Sequence, residues 1–101
     1  MPVYFAGYVN ANATIKSGGG FSVSRVFAAG SYRITLAAGT WSKFPMPVAS
    51  PVALHTIARV AQAFKDALTG NYLIDIEIRD LTTNALVDGD FTFIAVERSG
   101  P

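Results

Sequence analysis

Two segments of this chain alternate between apolar and polar side chains, and this alternation constrains the fold more than any other feature. The segment 32–36 alternates over five positions, and in the segment 72–79 every position except Leu73 follows the same alternation. In the longer one, the side chains on one face are Tyr72, Ile74, Ile76 and Ile78. A period of two belongs to β-strands, in which successive side chains point to opposite faces. Both segments are therefore predicted to be strands with one buried face.

Further strands are predicted on either side of these two. The segments 3–9 and 91–96 are rich in aromatic and β-branched residues, which favour strands. The segment 21–25 alternates and leads into 32–36 through a tight connection at Gly30, a residue that tolerates positive φ. At least five strands joined by short turns predict a single all-β domain over residues 1–101. The expected architecture is an antiparallel β-sandwich of jelly-roll type.

The middle of the chain supports two interpretations. The residues at helical spacing are Leu54, Ile57, Ala61, Phe64 and Leu68. With Pro51 near the start and Gly70 past the end, they predict an amphipathic helix at about 51–69 in an α+β domain. The competing interpretation is a strand over 46–52 followed by a second strand over 57–64. The local pattern alone slightly favours the helix.

Composition and motifs argue against several functional classes. The net charge is +1, so the chain lacks the overall positive charge of a nucleic-acid-binding protein. Cysteine is absent and histidine occurs once, at His55, which leaves little material for thiol or metal chemistry. The Asp88-Gly89-Asp90 segment lacks calcium-loop spacing and predicts a turn whose carboxylates bind local backbone. We therefore expect no enzymatic activity, no cofactor and no metal.

The N-terminus carries no pattern of a secretory signal peptide. The apolar segments are far shorter than the ~20 residues of a spanning helix, so no membrane insertion is expected. Among the aromatic residues, Trp41, Tyr4 and Tyr8 are the candidate ligand-binding side chains. Aromatic residues occur in sugar-binding sites, in subunit interfaces and in hydrophobic cores.

Charge is segregated along the chain. Residues 1–65 contain six basic side chains and no acidic one, whereas residues 66–101 contain seven acidic side chains and two arginines. If early and late strands interleave, opposite charges face each other across strands of one chain. The same segregation serves contacts between identical subunits. The candidate interface residues in that second case are Arg25, Arg33, Asp75 and Glu77.

Several segments carry a resemblance to a known group of modules. They are Gly20–Arg25, Gly30–Leu36, Ala49-Ser50-Pro51 and Val87–Val96. Together they resemble small β domains at the ends of phage tail-fibre, collagen-like and other bacterial surface proteins. In those modules the segment matching 57–64 is a strand, which favours the all-β interpretation.

The resemblance implies a non-enzymatic structural or attachment role in a virion or at a cell surface. It also implies a homo-oligomer, for which we expect a trimer. The alternative is a lectin-like module that binds a cell-surface glycan through its loop aromatics.

Overall fold

The computed structural model describes residues 4–26, 28–37 and 45–97. The strands are β1 (Tyr4–Val9), β2 (Ile15–Gly18), β3 (Ser22–Arg25), β4 (Ser31–Leu36), β5 (Pro45–Pro51), β6 (Thr56–Lys65), β7 (Tyr72–Asp80) and β8 (Phe91–Glu97). Over these residues every regular element is a strand, so the all-β prediction is confirmed. The alternative helix at 51–69 is wrong, because its centre forms β6. No helix in the described ranges is long and apolar enough to cross a membrane.

The strands form two four-stranded antiparallel sheets that pack as a β-sandwich. Sheet I has the order β2-β1-β8-β5, and sheet II has the order β3-β4-β7-β6. The predicted hairpin of β3 and β4 is present in sheet II. Pairing is nested: β1 lies beside β8, and β4 lies beside β7. Early and late parts of the chain therefore meet in both sheets.

The core lies between the two sheets. Its buried members are Val9, Tyr32, Ile34, Leu36, Tyr72, Ile74, Ile76, Ile78, Phe91, Phe93 and Ala95. The inward faces predicted for β4 and β7 are thus confirmed. On the outward side of β7, Leu73 and Asp75 are buried as well. Cross-strand neighbours on both sides cover the middle of this central strand, so its outer face is less exposed than simple alternation suggests.

Strand β6 contains a β-bulge, and its core-facing residues are not those of the predicted helical pattern. Arg59 lies opposite Glu77 and Gln62 lies opposite Asp75, while Ala61 between them has no register partner. A bulge inserts one residue and shifts the alternation by one position. The residues of β6 that pack against the core are Ala58, Val60 and Ala63. In contrast, the helical pattern rested on residues that the fold leaves exposed, among them Leu54, Ile57 and Leu68.

The free edges of the sheets are poorly suited to further strand pairing. Strand β5, at one edge of sheet I, carries Pro45, Pro47 and Pro51 at alternating positions. Proline lacks an N–H and fits where its nitrogen faces away from the paired strand, so the outer edge loses donors. The edge strands β2 and β3 have four residues each, and the bulge interrupts β6. Association through the faces is consequently easier than sheet extension.

Candidate functional site

At one end of the sandwich, the segment Asp88-Gly89-Asp90 links several loops. The Asp90 carboxylate accepts hydrogen bonds from the Ala11 N–H at 2.7 Å and from the Tyr8 hydroxyl at 2.8 Å. The Asp88 carboxylate accepts from the Gly30 N–H at 2.9 Å and from Arg25 Nη2 at 2.6 Å. The partners are distant in sequence rather than local, which corrects the expected local hydrogen bonding.

Tyr32 completes this cluster from the core side. Its buried hydroxyl donates to the Ala11 carbonyl oxygen at 2.6 Å and accepts from the Gly89 N–H at 3.3 Å. Burial raises the pKa of Tyr32, and the Asp88 carboxylate adds to the rise. The hydroxyl therefore stays protonated at neutral pH and acts as a fixed hydrogen-bond bridge between loops.

The backbone around Gly30 is closely packed at this end of the sandwich. Its φ is +80°, and an added Cβ would lie 2.7 Å from the Ile78 carbonyl oxygen and 2.8 Å from the Val87 nitrogen. Because all these groups bind one another, the cluster is a structural clamp. The part of the chain that the structure describes holds no cluster of three or more His, Asp or Glu side chains suited to a metal.

The outer face of sheet II carries a network of ion pairs, which we call the charged face. Arg33 donates Nε and Nη2 to the two carboxylate oxygens of Asp75, at 2.8 and 3.0 Å. Gln62 Nε2 donates to the same carboxylate at 2.7 Å. Burial acts to raise the pKa of Asp75, but the hydrogen bonds from Arg33 and Gln62 outweigh it, so the pKa is lowered.

Glu77 forms the second half of the charged face. One of its carboxylate oxygens accepts from Arg59 Nε at 2.8 Å and contacts Arg79 Nε at 3.4 Å. Burial opposes ionisation, yet the two arginines lower the pKa of Glu77 overall. Both carboxylates on this face are therefore ionised at neutral pH and are held by arginines of the same chain.

Three of the four ion pairs among the described residues join early basic residues to late acidic ones, as one interpretation of the charge segregation predicted. Arg25 pairs with Asp88, Arg33 with Asp75 and Arg59 with Glu77. All four candidate interface residues thus have partners within their own chain. Their pairing between copies stays a prediction, and it would require these contacts to rearrange.

The outer face of sheet I is different, and we call it the apolar face. Its outward side chains on β1, β5 and β8 include Ala6, Tyr8, Met46, Val48, Ser50, Thr92, Ile94 and Val96. None of these carries a charge. Ala6, Ile94 and Val48 form one row across three strands, and Val96 and Met46 lie in the next row. Met46, Val48 and Ile94 are exposed by 54%, 59% and 42%.

The candidate ligand-binding aromatics do not come together in a described site. Tyr8 lies on the apolar face, half-buried, with the Lys16 ammonium 4.8 Å from its ring centroid. Its hydroxyl is taken by Asp90, and this hydrogen bond raises the pKa of Tyr8. Tyr4 occupies β1, but its side chain lies outside the described residues, as does the whole of Trp41. A glycan site built on these aromatics stays a prediction.

Sequence reasoning missed Arg59, Gln62 and Arg79, which complete the charged face. The only signal was indirect. The alternation in β6 breaks at Ala61, and that break is what turns Gln62 outward beside Asp75. Gln62 is an ordinary polar residue in an irregular strand, so nothing in the sequence marked it as a site residue.

The fold and its two unlike faces define a small two-sheet antiparallel β-sandwich. Comparisons with protein-family models, with curated proteins and with solved structures found no match to this chain.

Proposed function

We propose that this sandwich is a non-enzymatic structural or attachment module of a virion or cell-surface assembly. Copies associate through the apolar face. The observation that supports this most is the exposure of Met46, Val48 and Ile94 side by side on two neighbouring strands whose outward side chains carry no charge. Contiguous apolar surface on a soluble domain typically marks an interaction site. The resemblance to tail-fibre and collagen-like end modules points to the same role.

A second copy of the chain is the partner that fits this face. The outward residues of β5 and β8 offer no complementary charge to a charged partner, whereas an identical apolar surface matches them; the nearest charge is Lys16, which lies against Tyr8 on the β2 side of the face. The prolines of β5 oppose pairing along the sheet edge, so contact falls on the face. Closed symmetric assemblies bury such surfaces without leaving an open end. We propose a trimer, in keeping with the resemblance.

We also propose that the sandwich is a jelly roll. The features that support it are the eight strands in two packed sheets and the pairing of β1 with β8. A jelly roll likewise contains eight strands in two sheets.

The test replaces Ile94 at the centre of the apolar face with lysine. Static light scattering of the wild-type protein should give three times the chain mass of 10.7 kDa. Ile94→Lys should give a monomer, because each association would bury an unpaired ammonium. Circular dichroism should show the same β spectrum for both proteins.

The matched control is Leu54→Lys, which adds the same charge at a residue that is 87% exposed and lies outside the apolar face. This variant should keep the wild-type mass. The proposal is overturned if the wild-type protein is a monomer at micromolar concentration. It is also overturned if Ile94→Lys keeps the assembly.

A further inference from the structure

A cleft of about 310 Å³ opens on the charged face, beside the bulge of β6. Its lining includes Val26, Ser31, Arg59, Ala61, Gln62 and Glu77. Small-molecule sites span ~300–1,000 Å³, so this volume suits a ligand no larger than a small sugar. The ion pairs described above form one wall of the cleft and have no catalytic arrangement.

Ser31 lies in this cleft, and contacts within the fold do not account for its buried hydroxyl. It lies opposite Glu77 in the register, so its side chain points to the outer face of sheet II. It is only 7% exposed, yet among the described residues its hydroxyl has no hydrogen-bond partner. Buried hydroxyls are nearly always hydrogen-bonded, and an unmatched one is unfavourable. A ligand in the cleft would supply the missing partner.

Neighbouring side chains add further groups for binding. Gln62 donates through Nε2 to Asp75, which leaves its Oε1 as an acceptor. The hydrogen bonds of Glu77 with Arg59 and Arg79 both use Oε1, which leaves Oε2 as an acceptor. The Arg59 side chain is 62% exposed and has further N–H donors. Donors and acceptors thus surround the same cleft.

The pairing of both carboxylates at the cleft favours a neutral ligand. Asp75 is matched by Arg33, and Glu77 is matched by Arg59 and Arg79. A charged ligand would have to compete with these pairs. A neutral polyhydroxyl ring leaves them intact, because each hydroxyl both donates and accepts. Val26 and Ala61 provide apolar contacts for the C–H surface of such a ring.

We propose that this cleft binds a neutral sugar ring, with the Ser31 hydroxyl and the Gln62 carbonyl oxygen as direct partners. The inference deepens the attachment part of the proposed function and rests on it only there. Self-association uses the opposite sheet, so the cleft stays accessible in an oligomer. The bulge at Ala61 is essential, since it turns Gln62 outward.

The test is an amide NMR titration of the full chain with four neutral sugars, each added alone. They are D-glucose, D-galactose, D-mannose and N-acetyl-D-glucosamine. At least one should shift the amide signals of Ser31, Ala61 and Gln62 in a saturable way. Ser31→Ala should weaken that binding by about fivefold or more, through loss of one hydrogen bond. Its Tm should not fall, because the hydroxyl has no partner in the unbound protein.

Two further variants sharpen the result. Ser50→Ala makes the same change at an exposed position of sheet I and should leave sugar affinity unchanged. Ala61→Phe fills the cleft at an exposed bulge position and should abolish binding while the β spectrum stays intact. Ile94→Lys should still bind the sugar as a monomer, so failure of self-association and failure of this site are distinguishable.

Three outcomes overturn the proposal. In the first, none of the sugars shifts the cleft amides. In the second, a sugar binds but Ser31→Ala and Ala61→Phe leave its affinity unchanged. In the third, inorganic phosphate saturates the cleft while every neutral sugar fails, which makes Arg59 part of an anion site.

Discussion

The two outer faces of the sandwich come from the same kind of antiparallel sheet and are opposite in chemistry. On the charged face, Arg33, Asp75 and Gln62 bind one another across three strands. On the apolar face, the equivalent positions hold Val48 and Ile94, which contact no charged group across their strands.

The comparison shows two ways in which the outer face of a small sheet is stabilised. The charged face pairs its ionised side chains within one chain, and the Ser31 hydroxyl in its cleft is the group left for a ligand. The apolar face leaves exposed hydrocarbon that only another surface can cover. We therefore expect changes on the charged face to alter the stability of the single chain. Changes on the apolar face should alter assembly instead.

The largest effect is expected for Asp75→Ala. This change leaves the Arg33 guanidinium and the Gln62 amide facing a site that no longer accepts hydrogen bonds. Removing one partner of a buried pair is strongly destabilising, and for this partly exposed arginine we expect about 2–4 kcal/mol. Urea denaturation followed by circular dichroism measures the loss.

The double variant Arg33→Met with Asp75→Leu is the control for that change. It removes both charges and restores packing, so it should recover much of the lost stability. Should Asp75→Ala prove as stable as the wild-type protein, the charged face would not support the single chain and the contrast between the faces would fail.

A smaller effect is expected from acid. The pKa values of Asp75 and Glu77 are lowered in the folded protein from ordinary values of 3.8 and 4.5. Their stabilisation is present above those ordinary values and is lost as the pH falls through the lower folded-state values. Urea midpoints should therefore decrease steadily below the ordinary values. Light scattering should show unchanged assembly as long as the protein stays folded.

Two carboxylates in turns also contribute to the loss of stability in acid, and a variant separates their contribution from that of the charged face. Backbone hydrogen bonds in turns also lower the pKa of Asp66 and of Asp80. The variant Asp75→Asn with Glu77→Gln should show a reduced dependence on pH, with the remainder coming from these turns. An unreduced dependence would show that the charged face contributes nothing to acid stability.

The smallest effect is expected for Arg59→Ala. This side chain is mostly exposed, and Glu77 keeps its contact with Arg79. Exposed pairs contribute roughly 0–1 kcal/mol, so the urea midpoint should barely move. A loss as large as that of Asp75→Ala would mean that the rim of the charged face carries as much stability as its centre.

The sequence was sufficient for the sheets but not for their irregularities. Strict alternation predicted β4 and β7 with their buried faces, because a period of two leaves little choice once one face is apolar. The helical pattern misled, because its apolar residues Leu54, Ile57 and Leu68 are exposed in the fold. The strand that forms there also carries a bulge, which changes the spacing of its faces without changing composition. Such a bulge is recognised only from the register of the strand with its neighbour, which the sequence of one strand does not contain.

The candidate site was likewise predicted only in part. The segregated charges predicted contact between early and late residues, and Arg33 with Asp75 fulfils that prediction within one chain. Gln62 and Ser31 were not foreseen, because their roles depend on the register between strands. The apolar face was equally hidden, since Val48 and Ile94 are far apart in sequence and meet only across β5 and β8.

The nested pairing of strands has a consequence for the order in which the chain folds. Strand β1 is synthesised about 80 residues before its neighbour β8, and such distant closure is slow. Until then, the inward side chains Phe5 and Val9 lack the sheet neighbours that bury them. During this interval the nascent chain exposes apolar strand surface, when aggregation is a hazard. Asp88 and Asp90 lie immediately before β8 in the sequence, so the clamp that they form with the loops at Ala11 and Gly30 is likewise a late contact.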